Sequence, residues 1–402
     1  MKVTVKPSRA CGTVAAPPSK SYAHRLLIAG ALADGTSRIT GVAPSQDMLA
    51  TLDCLAALGV PNWLENGVAV LGGGSLSYPD GRVFPCRESG STLRFFLPIA
   101  RVRPGLAVFT GSERLIERGV GVYETLLSEK GVSFEKAPDR VTVSGCLTPG
   151  TYTLPGNVSS QFVSGLLFAL PLLEGDSRIC VLPPVESRPY IDMTVEVISR
   201  FGIRIERIDP NTFSVPGGQT YRPGDQTVEG DWSNAAALFA YNLVGGDVTV
   251  TGLNPDSLQG DRVCLAALEA LKEPNPAIDL SDCPDLGPIL FAAAALRGGA
   301  TFTGTKRLRI KESDRAAVMA EELAKFGVSA VVEESTVRIL PGTLWRPTEP
   351  LNSHNDHRIV MAMTLLASVT GGSIVGAEAV NKSYPSFFDT LAALGLEVTC
   401  DA

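Results

Sequence analysis

Eight basic residues stand singly beside serines, glycines or helix-capping residues: Lys20, Arg25, Arg94, Arg114, Lys311, Arg315, Arg358 and Lys382. A cation set into such a turn can grip a phosphate or a carboxylate, and an arginine can do so with two parallel hydrogen bonds. Two carboxylates lie in the same company, Asp285 in Cys283-Pro284-Asp285 and Glu312 between Lys311 and Ser313. A carboxylate flanked by cations can give and take protons. Most of these clusters open an apolar run, so they belong at helix N-termini, where unpaired amides and the helix dipole favour anions. Helix capping alone accounts for the serines and aspartates, but capping does not call for cations beside them. The chain has no Gly-Lys dipeptide and therefore no phosphate-binding P-loop. Its three histidines, His24, His354 and His357, lack the H-E-x-x-H spacing of a zinc hydrolase.

The elements that must position these residues recur. Tyr22, Thr92, Ser160, Ser233, Leu286 and His357 begin six apolar runs, at steps of 70, 68, 73, 53 and 71 residues. A second, amphipathic helix follows each run and usually stops at glycine, as in DMLATLDCLAALG and DRAAVMAEELAKFG. Between them lie short β-branched stretches such as Asp247-Val248-Thr249-Val250-Thr251, which read as strands. A fixed period of this kind is a duplicated supersecondary unit, and alternating strands and helices give the α/β class. Six units suit two domains of three, with a crossover in the turn-rich segment 216–230. The 53-residue step predicts that the fourth unit lacks about 20 residues, most simply the hairpin after Leu265–Lys272.

At 402 residues, 45% hydrophobic and 19% charged, the chain reads as an ordinary globular protein of two or three domains. Its net charge of −7 argues against nucleic acid as a partner. No run is apolar enough to span a membrane. The eight scattered cysteines form no C-x-x-C pair and read as free thiols in a reducing, cytoplasmic setting.

Several ordered motifs together resemble the 5-enolpyruvylshikimate-3-phosphate synthase family over essentially the whole chain. They are Pro17-Pro18-Ser19-Lys20-Ser21 with Arg25, Ser89-Gly90-Ser91 with Arg94, Thr110-Gly111 with Arg114, Ser159-Ser160-Gln161-Phe162 and Ser187-Arg188-Pro189-Tyr190, then Lys311-Glu312-Ser313-Asp314-Arg315, Asn355-Asp356-His357-Arg358 and Lys382. The resemblance implies an inside-out α/β barrel fold: two globular domains, each of three βαβαββ units, joined by two crossover strands. It implies one domain of residues 1–18 plus 229–402, carrying the acid–base groups and part of the phosphoenolpyruvate site. The other, 19–228, would carry most of the shikimate 3-phosphate site.

The implied reaction moves the enolpyruvyl group of phosphoenolpyruvate to the 5-hydroxyl of shikimate 3-phosphate through a tetrahedral intermediate and releases phosphate, without cofactor or metal. Carried over residue by residue, the resemblance gives Asp285, Glu312 and Lys20 catalytic roles. Shikimate 3-phosphate would meet Lys20, Ser21, Arg25, Ser159, Ser160, Gln161, Ser187, Tyr190, Asp285 and Lys311. Phosphoenolpyruvate would meet Lys20, Gly90, Ser91, Arg114, Gln161, Arg315, Arg358 and Lys382. Arg94 is read as structural and left out. The expected working state is a cytoplasmic monomer with these two small-molecule substrates.

Gly119 stands where the family usually has proline, and Arg307 stands where many members have an asparagine at the shikimate ring. An alternative is the sister enolpyruvyl transferase acting on UDP-N-acetylglucosamine. That enzyme usually carries a reactive cysteine near residues 111–121, whereas no cysteine lies between Cys86 and Cys146 here. The other alternative is an inactive anion-binding relative, against which Lys20, Asp285, Glu312 and Arg358 speak.

Overall fold

The apolar runs become helices buried on nearly every side, and the chain builds outward from them. The computed structural model describes residues 1–74 and 76–401. It contains two compact units, Lys20–Glu229 and a discontinuous unit made of Met1–Ser19 with Gly230–Ala402.

The unit Lys20–Glu229 alternates three four-stranded sheets with α1 (Lys20–Leu32), α2 (Gln46–Ala57), α3 (Gly90–Ala100), α4 (Glu113–Gly119), α5 (Gly121–Ser128), α6 (Ser160–Ala169) and α7 (Arg188–Arg200). In α1, α3 and α6 almost every residue is buried, as expected of helices apolar all round. Between them run amphipathic helices such as α7, which turns Ile191, Met193, Val197 and Ile198 inward. The contact of α3 with α6 depends on Gly165, where an added Cβ would stand 2.4 Å from the Arg94 carbonyl oxygen. Only a residue without a side chain allows that approach.

Each sheet repeats one pattern. Thr151–Pro155 runs parallel to Ser177–Leu182, which pairs antiparallel with Thr212–Val215, and Glu206–Asp209 closes the hairpin. The first repeat takes its leading strand from elsewhere: Asp225–Thr227 lies parallel to Thr36–Thr40. Cys11–Ala15, which precedes α1 in sequence, pairs instead with Asp247–Thr251 of the discontinuous unit.

That unit carries α8 (Trp232–Phe239), α9 (Cys264–Ala270), α10 (Gly287–Arg297), α11 (Arg315–Lys325), α12 (His357–Thr370) and α13 (Phe387–Ala393), with α8, α10 and α12 as its buried helices. The sheet holding Asp247–Thr251 has two strands where the others have four, so the fourth repeat does lack its hairpin. In the last repeat Lys2–Val5 lies between Gly372–Val375 and Val398–Asp401, completing a sheet begun at the other end of the chain. The α/β architecture of repeated units with exchanged strands is the one expected from the sequence. Among the described residues, no helix is long and apolar enough to cross a membrane.

Candidate active site

In the discontinuous unit the predicted residues converge on Arg315, the first residue of α11, whose side chain is 1% exposed. Its Nη1 donates to Asp285 Oδ1 at 2.7 Å, its Nη2 to Glu312 Oε2 at 2.8 Å, and its Nε to Asp356 Oδ2 at 2.8 Å. Lys311 Nζ reaches the same Asp285 oxygen at 2.9 Å. Burial by itself opposes ionisation of Asp285, but Lys311, Arg315 and Arg358 outweigh it and hold the carboxyl well below its usual range. For Arg315 burial is likewise opposed, here by Asp356, Glu312 and Asp285, so its guanidinium stays charged. Burial pulls the Lys311 ammonium down while Asp285 supports it.

Asp356 caps α12 by accepting from the Arg358 amide at 2.9 Å. Arg358, at the start of that helix, is buried and donates through Nη1 to Asn234 Oδ1 at 3.1 Å. Arg358 Nε and Asn234 Nδ2 are both buried donors with no acceptor among the described residues, an arrangement that calls for an anion or a water. Lys382 Nζ donates to the Asn355 carbonyl oxygen at 2.5 Å. Asp282 is exposed, and the exposed Asp279 accepts from the Ser281 amide and hydroxyl of its own loop. Asp285 forms ion pairs with both Lys311 and Arg315.

In the unit Lys20–Glu229, Lys20 opens α1 and pairs with Asp47 of α2 at 2.9 Å. Ser89 caps α3, which places Gly90 and Ser91 in its first turn. Ser91 Oγ accepts from Gln161 Nε2 at 2.8 Å, and Gln161 Oε1 accepts from Arg94 Nη1 at 2.5 Å. A side chain on Gly90 would crowd Arg94 Nη1 at 3.2 Å and Arg118 Nη2 at 3.5 Å. Ser159 caps α6 through the Gln161 amide, and Ser160 is its first residue. A serine that accepts at a cap still has its hydroxyl proton to donate. Ser187 stands before α7 with φ 53°, a left-handed conformation uncommon outside glycine.

Arg114, Arg94 and Arg25 each have partners within this unit. Arg114 is 44% exposed and pairs with Glu117, while Arg118, one helical turn later, lies against Gly90. Arg94 has the structural role read for it: it donates to the carbonyls of Arg118 and Gly119 and to Gln161, fastening that loop to α6. The Arg25 guanidinium is not an open fork. It is buried, held down to about 10 by that burial, and donates to Thr194 Oγ1, Ser21 O, Ser164 Oγ and Tyr190 O. It thereby fixes the turn that presents Ser187 and Tyr190. Sequence reading also passed over Asp47, Asn234 and Asp356. Asp356 carried a signal in the Asn355–Arg358 motif and Asn234 in the Asp231-Trp232-Ser233-Asn234 cluster that opens the fourth apolar run.

The chain matches the sequence family described as EPSP synthase (3-phosphoshikimate 1-carboxyvinyltransferase) over residues 5–391. It is 38% identical to the 3-phosphoshikimate 1-carboxyvinyltransferase of Clostridium kluyveri over 417 residues, 98% of each chain. With the protein of that name from Methanoculleus marisnigri it shares 41% over 407 residues, 95% of this chain and 96% of the other. The solved EPSP synthase of Acinetobacter baumannii superposes with a TM-score of 0.79 at 25% identity, covering 99% of this chain and 100% of that one. The enolpyruvyl transferase NikO of Streptomyces tendae shares the fold at a TM-score of 0.78 and 17% identity, covering 99% of this chain and 98% of that one. The family match over residues 5–391 and these relatives show that the chain belongs to the EPSP synthase family.

Proposed function

We infer that this chain transfers the enolpyruvyl group of phosphoenolpyruvate to the 5-hydroxyl of shikimate 3-phosphate, releasing phosphate, in the shikimate pathway to chorismate and the aromatic amino acids. The observation that carries this reading is the ion-paired group of the partly buried Asp285, Lys311 and Glu312 around the buried Arg315. It holds one carboxylate ionised among cations and a second beside it, as an addition followed by an elimination requires.

In the addition, the 5-hydroxyl oxygen bonds to C2 of phosphoenolpyruvate as its proton passes to Asp285, and C3 gains a proton to become methyl. In the elimination, C3 gives up a proton, the C2–C3 double bond re-forms, and the C2–O bond to phosphate breaks as the leaving phosphate takes up the proton held by Asp285. We assign the C3 proton to Glu312, which gives it in the addition and takes it back in the elimination while Arg315 holds the side chain in place. Lys20 supplies charge to both ligands.

We propose that Ser159, Ser160, Ser187, Gln161, Tyr190, Ser21 and Lys311 receive shikimate 3-phosphate, with Arg25 shaping that surface from beneath. We assign phosphoenolpyruvate to Lys20, Gly90, Ser91, Gln161, Arg315, Arg358 and Lys382, with Arg118 in place of Arg114. The orphan donors on Arg358 and Asn234 support an anion there. A cytoplasmic setting is supported by the free thiols, and a monomer by six repeats closed within one chain.

Phosphate release measured with each substrate alone and with both together tests the reading. Release is expected only with both. A folded protein that releases none with both is the inactive relative, and release driven by UDP-N-acetylglucosamine would assign the sister reaction.

A further inference from the structure

Among the described residues, Glu322 is the one buried glutamate, on α11 two turns beyond Arg315. Its Oε1 accepts from His354 Nε2 at 2.9 Å and Lys325 Nζ at 2.8 Å, and its Oε2 accepts from the Asn352 amide at 3.1 Å. The exposed Glu321 completes a group of ligand atoms within 4.8 Å of one another that could suit a metal ion. Lys325 already brings positive charge to that group.

His354 and Asn355 both hold left-handed backbone, at φ 48° and 53°. Neither is glycine, so the turn is held by its surroundings. The His354 amide donates to Asn352 Oδ1, the Asn355 amide to Ser353 Oγ, and the Asp356 amide to the Ser353 carbonyl. Directly beyond this turn come Asn355 O, which receives Lys382, Asp356, which receives Arg315, and Arg358.

We propose that His354 and Glu322 are positioning residues for the phosphoenolpyruvate-facing cations. Their hydrogen bond ties the strained turn to α11 and so sets where Lys382, Arg358 and Arg315 stand. The segment is held to α11 at two points, Arg315–Asp356 at the start of the helix and Glu322–His354 seven residues on. Removing the second lets the turn relax toward right-handed backbone and carries Asp356 and the Asn355 carbonyl with it. This inference rests on the assignment of Arg358 and Lys382 to phosphoenolpyruvate.

The test compares the full-length wild type with His354→Ala and His354→Gln. Glutamine presents an amide N–H at the reach of the imidazole Nε2. His354→Ala is expected to raise KM for phosphoenolpyruvate about tenfold and leave KM for shikimate 3-phosphate within about twofold, while His354→Gln recovers most of the loss. Amide hydrogen exchange across residues 352–358 should quicken in His354→Ala and return with glutamine. Unchanged phosphoenolpyruvate KM, equal loss for both substrates, or no recovery by glutamine would overturn the proposal. If the wild type itself releases no phosphate, the functional reading fails. The exchange arm still decides this inference, because unchanged protection of 352–358 refutes it.

Discussion

At the scale of single residues, the chain separates groups that hold from groups that react. Asp285 has the charge environment of a base kept ionised, while Asp282 three residues earlier is exposed. Asp285→Asn keeps the size of the side chain and removes the proton acceptor. It should cut turnover about 10²–10⁴-fold, the usual worth of a general base, with shikimate 3-phosphate binding retained. Asp282→Asn should change turnover little. Steady-state kinetics beside equilibrium titration separates the two, and a crippled Asp282→Asn beside a normal Asp285→Asn would move the base. His24 holds rather than reacts. Its Nδ1 lies 2.8 Å from Thr51 Oγ1, which continues to Thr92 and Ser89 and so links α1, α2 and the cap of α3. Burial, then Lys20 and Arg25, hold its imidazole well below 6.5. The folded form therefore keeps His24 neutral while the unfolded chain protonates it. Stability from this group is full above the unfolded pKa, about 6.5, and falls as pH drops below it, by up to about 1.4 kcal/mol per pH unit. Urea unfolding from pH 7 to 5 should show a shallower acid loss in His24→Gln than in the wild type, and equal slopes would refute the assignment.

At the scale of elements, the work is done at helix starts. Ser89, Ser159, Asp231, Asp314 and Asp356 all cap helices in the structure, and Gly90, Ser91, Ser160, Gln161, Arg315 and Arg358 sit in those first turns. For α6 the cap and the ligand roles can be told apart. Replacing Ser159 and Ser160 with alanine removes two hydroxyl donors, each worth about 1.5–3 kcal/mol to a charged phosphate. Shikimate 3-phosphate should weaken on the order of a hundredfold or more, with phosphoenolpyruvate far less affected in calorimetric titration. Equal weakening of both would leave the serines as caps alone. Much of this level was legible in the sequence, because caps and apolar runs are local and their spacing repeats. The missing hairpin of the fourth repeat was legible from one short step. What sequence could not separate was Arg114 from Arg118. They lie four residues apart on α4, and the approach of Arg118 to Gly90 at the start of α3 is a tertiary contact that no local pattern marks. Asp47 was hidden for the same reason, since its partner Lys20 lies 27 residues away and nothing local marks the pair. The committed state of Arg25 depends on Thr194 and Tyr190, about 170 residues distant.

At the scale of the whole molecule, the two units differ in how they depend on chain connectivity. Lys20–Glu229 holds every strand of its three sheets, since the leading strand of its first repeat, Asp225–Thr227, falls within that span. Gly230–Ala402 does not. It lacks the partner of Asp247–Thr251, which is Cys11–Ala15, and the strand between Gly372–Val375 and Val398–Asp401, which is Lys2–Val5. Val3 and Val5 are 0% and 1% exposed in its core. Burying two valines is worth roughly 3–6 kcal/mol, a large part of the 5–15 kcal/mol that typically holds a domain together. Leaving out Lys2–Val5 also exposes two sheet edges that would otherwise be paired. A fragment of residues 20–229 should therefore fold alone with a cooperative urea transition. A fragment of residues 230–402 should stay unfolded or aggregate until a peptide of residues 1–19 is added, whereupon circular dichroism should gain structure with a saturable dependence on peptide concentration. Cooperative unfolding of 230–402 without the peptide would show that the exchanged strands are dispensable to that unit, and the connectivity argument would fail with them.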